Sequence, residues 1–450
     1  MSSYDVIVVG GGFAGAVASR ELRQRGKRTL LLEARERLGG RTWTSEFGGM
    51  MAEMGGSWIH WHQAHIWSEV TRYGLEVIES GVWSDRERRT LVASGLDLSG
   101  RESAERIGWI VDGALKVGKP SEAFELLNEG ISRVCGNSYE VLTRPHDVFF
   151  GDVSELESKS IRDRLDEVGL KGDVAALTEA ILATVCSAHL EETGLLAMVR
   201  WYALSGHDPQ LLWDCEERYK IKSGMQDLVE RIVADGGADV RLSAPVASVE
   251  QTADSAVVTT RDGSRFDAAA VVVAVPLNVL KTITFGPALS AEKRAVAAEG
   301  QSTHGVKAWI RVRGEHTYVG AAPSNYPFSY LVSEYHVDGD TLLYAFGSDA
   351  DTIDVCDPKA VTAAVRLLMP SVEVIDSYAH DWTKDEFTLG TWSMPRPGQM
   401  TRYLRELQRP EGRVVLAGSD VASGWHGFID GAIESGLSAS RTVLDALRRG

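Results

Sequence analysis

Residues 55–65 read GGSWIHWHQAH, which sets His60, His62 and His65 and two tryptophans behind a glycine pair. Clustered imidazoles can hold a metal ion, and interleaved aromatics can stack nucleic-acid bases. The spacing argues against a metal, because these histidines lack the i, i+4 separation of paired helical ligands and no nearby cysteine or carboxylate completes a shell. Charge argues against nucleic acid and against an anionic membrane: 47 Lys plus Arg face 63 Asp plus Glu, a formal charge of -16. A second constellation has a clearer chemistry. In YDVIVVGGGFAG, Gly10, Gly12 and Gly15 form a GxGxxG turn around Phe13 and Ala14, and Glu33 ends the strand that follows. Gly10 permits a tight turn, Gly12 lets the backbone approach a pyrophosphate, and Gly15 allows close helix–strand packing, with the helix N-terminus facing the anion. Glu33 would accept hydrogen bonds from ribose hydroxyls. Next come Ala34, Arg35 and Arg37, then Gly39, Gly40, Arg41 and Thr42, a second glycine turn with cationic side chains. Further phosphate contacts explain it, although a basic surface loop has the same composition. The first motif specifies a dinucleotide without saying which, and the second discriminates, because an NAD enzyme would usually continue after the acid into another crossover.

The elements that must carry these residues follow from periodicity. Tyr4–Val9, an amphipathic helix and Arg28–Leu32 make a βαβ unit. Val246–Val249, Ala256–Thr260, Arg265–Ala268 and Ala270–Val275 read as strands, with Asp262-Gly263 as a hairpin turn. The range Glu79–Tyr219 is helix-rich, with helical spacing over Ser121–Val134, Ser160–Val168 and Asp173–Leu190. Gly286–Glu386 gives strands at Val306–Val312, Phe328–Tyr335 and Thr341–Phe346, then a helix at Lys359–Met369. A chain of 450 residues accommodates two or three domains. The expected fold class is α/β: a Rossmann-like dinucleotide-binding domain from 1–78, 220–285 and 387–450, and a discontinuous α+β substrate domain from 79–219 and 286–386. Cys135, Cys186, Cys215 and Cys356 are far apart and form no CxxC pair, which suits a reducing compartment and neither a disulfide framework nor a thiolate cage. The N-terminus lacks a basic segment followed by a long apolar run, and no stretch approaches a membrane span, so a soluble, unprocessed cytoplasmic protein is expected.

At EARERLGGRT, Glu33–Thr42, and GGSW, Gly55–Trp58, the chain resembles the flavin-dependent amine oxidases, the monoamine and polyamine oxidase group. The resemblance spans the chain through KSGMQDLVERI, APVASVEQ, VVVAVPLNVL and the closing RVVLAGSDVASGWHGFIDGAIESG. It implies FAD as cofactor and an FAD-binding domain of the amine oxidase (GR2) type. Gly55, Gly56, Ser57 and Trp58 would lie against the flavin, Val246 would bond adenine through its backbone, and Trp382 would pack on the isoalloxazine. Gly418, Asp420, Gly427, Phe428 and Ile429 occupy the places of further flavin contacts. Trp392 and Phe428 match the two walls of the family's aromatic cage, and Lys307 matches the lysine that bonds water near flavin N5. Read alone, these aromatics would be core residues and a strand lysine would sit at a solvent edge. His60 would point into the substrate channel, while His62 and His65 would cap or support a helix over Ile66–Tyr73. Monoamine oxidases attach FAD through a cysteine placed like Thr391, so noncovalent FAD is implied here.

The resemblance thus implies an amine oxidase: hydride passes from a small, mainly apolar amine to flavin, and O2 reoxidises it with release of H2O2. Within the group the motifs resemble bacterial catabolic members such as cyclohexylamine oxidase and 6-hydroxynicotine oxidase. The expected partners are a small amine and O2, with a homodimer as an allowed assembly. Three rivals stay open: an L-amino-acid oxidase, which needs a buried arginine for the carboxylate; a flavin amine dehydrogenase using another acceptor; and a non-redox flavoprotein.

Overall fold

The computed structural model describes residues 4–81 and 106–449. Strand Tyr4–Val9 lies between Thr29–Leu32 and Arg265–Val273, parallel to both, at the centre of an eight-stranded sheet. Val6–Val9 are 4% exposed or less, because helices cover both faces of this sheet and leave no polar side to the strand. One face packs helices Phe13–Gln24, Met225–Gly236 and Ile429–Arg449, and the other packs Ala291–Glu299 and Gln399–Gln408. An antiparallel meander, Val246–Gln251, Ala256–Thr260 and Arg265–Val273, extends the sheet, and Val414–Leu416 returns to pair with its last strand. The two strands expected over 265–275 are one strand, which stops at Val273 before the chain turns at Pro276.

The second sheet has seven strands, ordered Val374–Ala379, Val306–Val312, Asp340–Gly347, Tyr330–Val337, Tyr318–Ala321, Arg106–Val111 and Ala114–Gly118. The last two come from the range expected to be helix-rich. They form a hairpin about Asp112-Gly113, both at positive φ, and Arg106–Val111 pairs in parallel with Tyr318–Ala321. The Asp-Gly dipeptide between alternating apolar residues was the available signal. Residues 82–105 of that range lie outside the described ones. Helix Gly172–Cys186 also ends earlier than its apolar run, because Ser187 turns into the left-handed region at φ 50. Among the described residues no helix is long and apolar enough to cross a membrane.

A buried ion pair fastens the first helix to Ala64–Arg72. Arg20, 1% exposed, donates from both terminal nitrogens to Glu69 at 2.5 and 2.7 Å, and to the Tyr73 hydroxyl at 3.0 Å. Removing one partner strands a buried charge, so Arg20→Leu is expected to cost about 3–5 kcal/mol of unfolding free energy. In chemical denaturation the Arg20→Leu/Glu69→Leu double variant should recover most of that loss; additive losses would show the pair to be uncoupled.

Candidate functional site

At the end of the first strand the chain encloses a cavity whose empty volume, including its mouth, is about 1400 Å³. Gly10, Gly12, Phe13, Ala14, Glu33, Ala34, Arg35, Gly39, Gly40 and Arg41 line one part of it. The glycines there do different jobs. A Cβ on Gly15 would lie 1.9 Å from the Gly10 carbonyl oxygen, so that glycine is required by the protein itself. A Cβ on Gly12 would meet nothing closer than 3.8 Å, and its φ of -75 suits any residue. The space beside Gly12 is therefore open to a ligand. Helix Phe13–Gln24 starts at this point with no side chain capping it and no acid in its first turn, which leaves its positive end to an anion.

Glu33 is buried, and its carboxylate accepts from the Gly11 amide at 2.7 Å and the Arg35 amide at 2.8 Å. Each oxygen retains a lone pair for a ribose hydroxyl. Arg37 turns inward: it bonds the carbonyls of Leu38, Gly40 and Thr42 and so pins the second glycine turn. Arg41 spans to the C-terminal segment, donating to the Thr391 carbonyl, Ser419 Oγ and Asp420 Oδ2. Val246, at a bulge in its strand, borders the same cavity, as do Gly55, Gly56, Trp382, Gly418, Gly427 and Ile429.

Lys307, Trp392 and Phe428 also line it. Lys307 is 5% exposed, and its Nζ donates to the Gly55 carbonyl at 3.0 Å and to Ser57 Oγ at 2.7 Å. Burial lowers its proton affinity well below that of an ordinary lysine, with the buried Glu53 pulling the other way. Trp392 is held by its indole N–H on the Val185 carbonyl at 2.9 Å, and Phe428 stands edge-on to Trp201 and Trp425, each at 5.1 Å. Trp392, Phe428 and Phe346 belong equally to a second cavity, of about 1240 Å³, which runs towards Leu177, Tyr330 and Glu217. Ser57 and Trp58 border this second cavity rather than the first. The aromatic pair thus stands where the two spaces meet.

Three expected site residues lie elsewhere. Gly15 is in the first turn of the helix, against the Gly10 carbonyl, in the close-packing role its spacing implied. Asp420 reaches the first cavity only through Arg41. His60 does not enter the substrate channel: it is 0% exposed and borders neither cavity. Its Nδ1 accepts from the His62 amide at 3.3 Å and faces Cys215 Sγ at 3.4 Å, while burial beside His62 and Arg218 lowers its pKa to about 4. The fold brings Cys215 to His60 and His62, a proximity invisible in the sequence, but the Nδ1 lone pair is already engaged. His65 sits in the first turn of Ala64–Arg72 and pairs with Asp430 at 3.2 Å, and Asp430 itself caps the Ile66 amide. The sequence reading missed Phe346, which borders both cavities, Glu216 and Glu217, which face the second, and Glu53, whose buried carboxylate acts on Lys307; none of them carries a motif.

The family described as flavin containing amine oxidoreductase matches residues 13–444. Pseudooxynicotine dehydrogenase of a Pseudomonas species is 39% identical over 99% of this chain and 87% of its own length. (S)-6-hydroxynicotine oxidase of Paenarthrobacter nicotinovorans is 31% identical over 98% of this chain and 99% of its own. A solved structure of putrescine oxidase superposes with a TM-score of 0.81 at 22% identity, covering 100% of both chains.

The open space beside Gly12 gives a direct test. Gly12→Val should leave the far-ultraviolet circular dichroism unchanged and reduce retained flavin at least about tenfold, since its side chain occupies the ground where a pyrophosphate must approach. Full flavin content in this variant would show that the dinucleotide lies elsewhere.

Proposed function

Because this chain belongs to the flavin containing amine oxidoreductases, we propose that it oxidises a small, mainly apolar amine with noncovalent FAD and passes the electrons to O2. The family uses FAD, and the chain is accordingly a flavoprotein oxidoreductase acting on amines. The observation that carries the finer reading is the Trp392–Phe428 pair at the meeting of the glycine-lined cavity and the apolar one. FAD, when bound, supplies the hydride acceptor for the carbon beside the amine nitrogen and, once reduced, the electrons that turn O2 into H2O2. The released imine hydrolyses to an aldehyde or ketone and an amine or ammonia.

The chain's own residues orient, desolvate and place charge. Trp392 and Phe428 offer apolar faces that exclude water from the amine. An aromatic pair also attracts ammonium, yet the reacting nitrogen must carry a free lone pair, so the neutral amine is the productive form. Lys307 has two N–H groups committed to Gly55 and Ser57, which leaves a third to hold a water in the cavity. Thr391 borders the cavity and donates to Ser187 Oγ at 3.0 Å, and no cysteine is among the described lining residues, which supports noncovalent attachment. The second cavity has no arginine among its described lining residues but two glutamates, a setting hostile to the carboxylate of an amino-acid substrate.

The dehydrogenase name of the pseudooxynicotine relative favours one alternative, in which electrons go to an acceptor other than O2. Peroxide measured during turnover of an amine panel separates the two: stoichiometric peroxide supports the oxidase, and turnover that requires an added dye supports the dehydrogenase.

Two rate measurements test the assigned roles. Reduction of flavin under anaerobic conditions should accelerate as pH rises through the amine's own pKa, because the neutral fraction grows; a flat profile would remove the neutral-amine requirement. Lys307→Met should slow reoxidation by O2 more than reduction. In the wild type, where the lysine proton is lost at lower pH than usual, reoxidation should weaken with rising pH, and this dependence should vanish in the variant. Equal slowing of both half-reactions would refute the role.

A further inference from the structure

Glu53 ends strand Met50–Glu53, is 6% exposed and borders neither cavity. Its Oε1 accepts from the Met225 amide at 2.7 Å and from Thr44 Oγ1 at 2.9 Å, so it meets the first amide of helix Met225–Gly236. Its Oε2 is shielded from solvent and meets no donor among the described residues. Half of this carboxylate is therefore buried without a hydrogen bond, a costly arrangement unless a nearby positive charge acts on it.

The backbone fixes where that oxygen's charge lies. Lys307 Nζ donates to the Gly55 carbonyl, and Trp309 Nε1, two residues on and so on the same face of the strand, donates to the Glu53 carbonyl at 2.9 Å. Residues 307 and 309 are thus held against 55 and 53 in one register. The rings of Trp58, Phe346 and Trp309 stand 4.9, 5.4 and 5.9 Å from Nζ, and charges buried among such groups are weakly screened. Lys220 also acts on Glu53, but it is paired with Glu334 and bonded to the Tyr335 hydroxyl.

We propose that Glu53 acts through Lys307 as a positioning residue for reoxidation, its unmet carboxylate oxygen keeping the lysine in the ammonium form beside the cavity. This rests on the reading of Lys307 as the group that serves reoxidation. Oxygen gains negative charge as it is reduced, so an ammonium at the cavity wall aids the step and a neutral amine does not. Proton affinities agree with the placement. Burial lowers that of Lys307, against the pull of Glu53; burial raises that of Glu53, against its bonds to Met225 and Thr44 and the pull of Lys307 and Lys220. Each charge favours the other, and the two groups titrate as a pair. Without the carboxylate, the lysine loses its proton at lower pH.

Glu53→Gln retains an oxygen for Met225 and Thr44 and removes only the charge. In the holoenzyme it should move the falling pH limb of flavin reoxidation at least about one pH unit lower, and change anaerobic flavin reduction less. A merely structural role would lower the thermal midpoint and slow both half-reactions while leaving the limb in place. A second readout needs no turnover. In infrared titration of the oxidised holoenzyme, the carboxylic C=O band that Glu53→Gln removes should be stronger at a given pH in Lys307→Met than in the wild type, because loss of the ammonium favours the protonated acid. An unmoved pH limb, or a carboxylic band indifferent to Lys307→Met, would overturn the proposal. If reoxidation in the wild type does not vary with pH, the reading of Lys307 fails by itself. The pairing is then judged by the infrared band: a band that follows Lys307→Met sustains it, and one that does not removes it.

Discussion

The turn after the first strand exists because two pieces of backbone come closer than any side chain allows. A methyl group on Gly15 would sit 1.9 Å from the Gly10 carbonyl oxygen, and one on Gly436 would sit 2.4 Å from the carbonyl oxygen of Ala14. The first contact sets the angle between strand and helix, and hence where the positive end of Phe13–Gln24 points. The second lets Ile429–Arg449 lie directly on that helix, which delivers Gly427, Phe428 and Ile429 to the cavity from the far end of the chain. Glu33 and Arg41 then lock the remaining sides, one through backbone amides and the other by reaching Ser419 and Asp420. The site is thus a product of close backbone approach first and of side-chain chemistry second.

Away from that turn, desolvation governs the electrostatics. Two lysines are buried against the second sheet, Lys307 on its strand Val306–Val312 and Lys220 on the short strand Tyr219–Ile221 that pairs with Val77–Glu79, and they are partnered differently. Lys220 is neutralised by Glu334, which is itself held by Ser80 and the Gly81 amide. Among the described residues Lys307 has only a carbonyl and a hydroxyl as hydrogen-bond partners. Burial lowers the proton affinity of both lysines, so what separates them is place: Lys220 joins two segments, and Lys307 stands beside a cavity. Glu216 and Glu217, beside the second cavity, have the same character with opposite sign: burial raises their proton affinity.

What could be read from the sequence was local. The glycine turn, the strand-ending Glu33 and the strand Val306–Val312 were legible because each is written in consecutive residues of characteristic type. The Trp392–Phe428 pair needed the family resemblance, since nothing in either tryptophan or phenylalanine separates a cavity wall from a core. Glu216 and Glu217 were illegible because DCEERYK has the composition of a solvated helix end, and only burial against Tyr330 and Tyr344 changes its meaning. His60 failed for the reverse reason: the motif around it belongs to the site, but its imidazole turns away towards Cys215. Strands 106–111 and 114–118 were masked by the helical spacing that surrounds them, although their Asp-Gly turn marked the hairpin.

The pairing of Arg106–Val111 with Tyr318–Ala321 has a consequence for how the protein is made. Ile107 and Val319, register partners on the wall of the second cavity, are joined across nearly half of the chain, and the first cavity likewise waits for the helix after Val414–Leu416. Neither chamber has its full lining while synthesis is in its first half. Both sheets also draw strands from the second half of the chain, so early strands keep unpaired edges until late segments arrive, the phase in which an apolar interior is most open to aggregation.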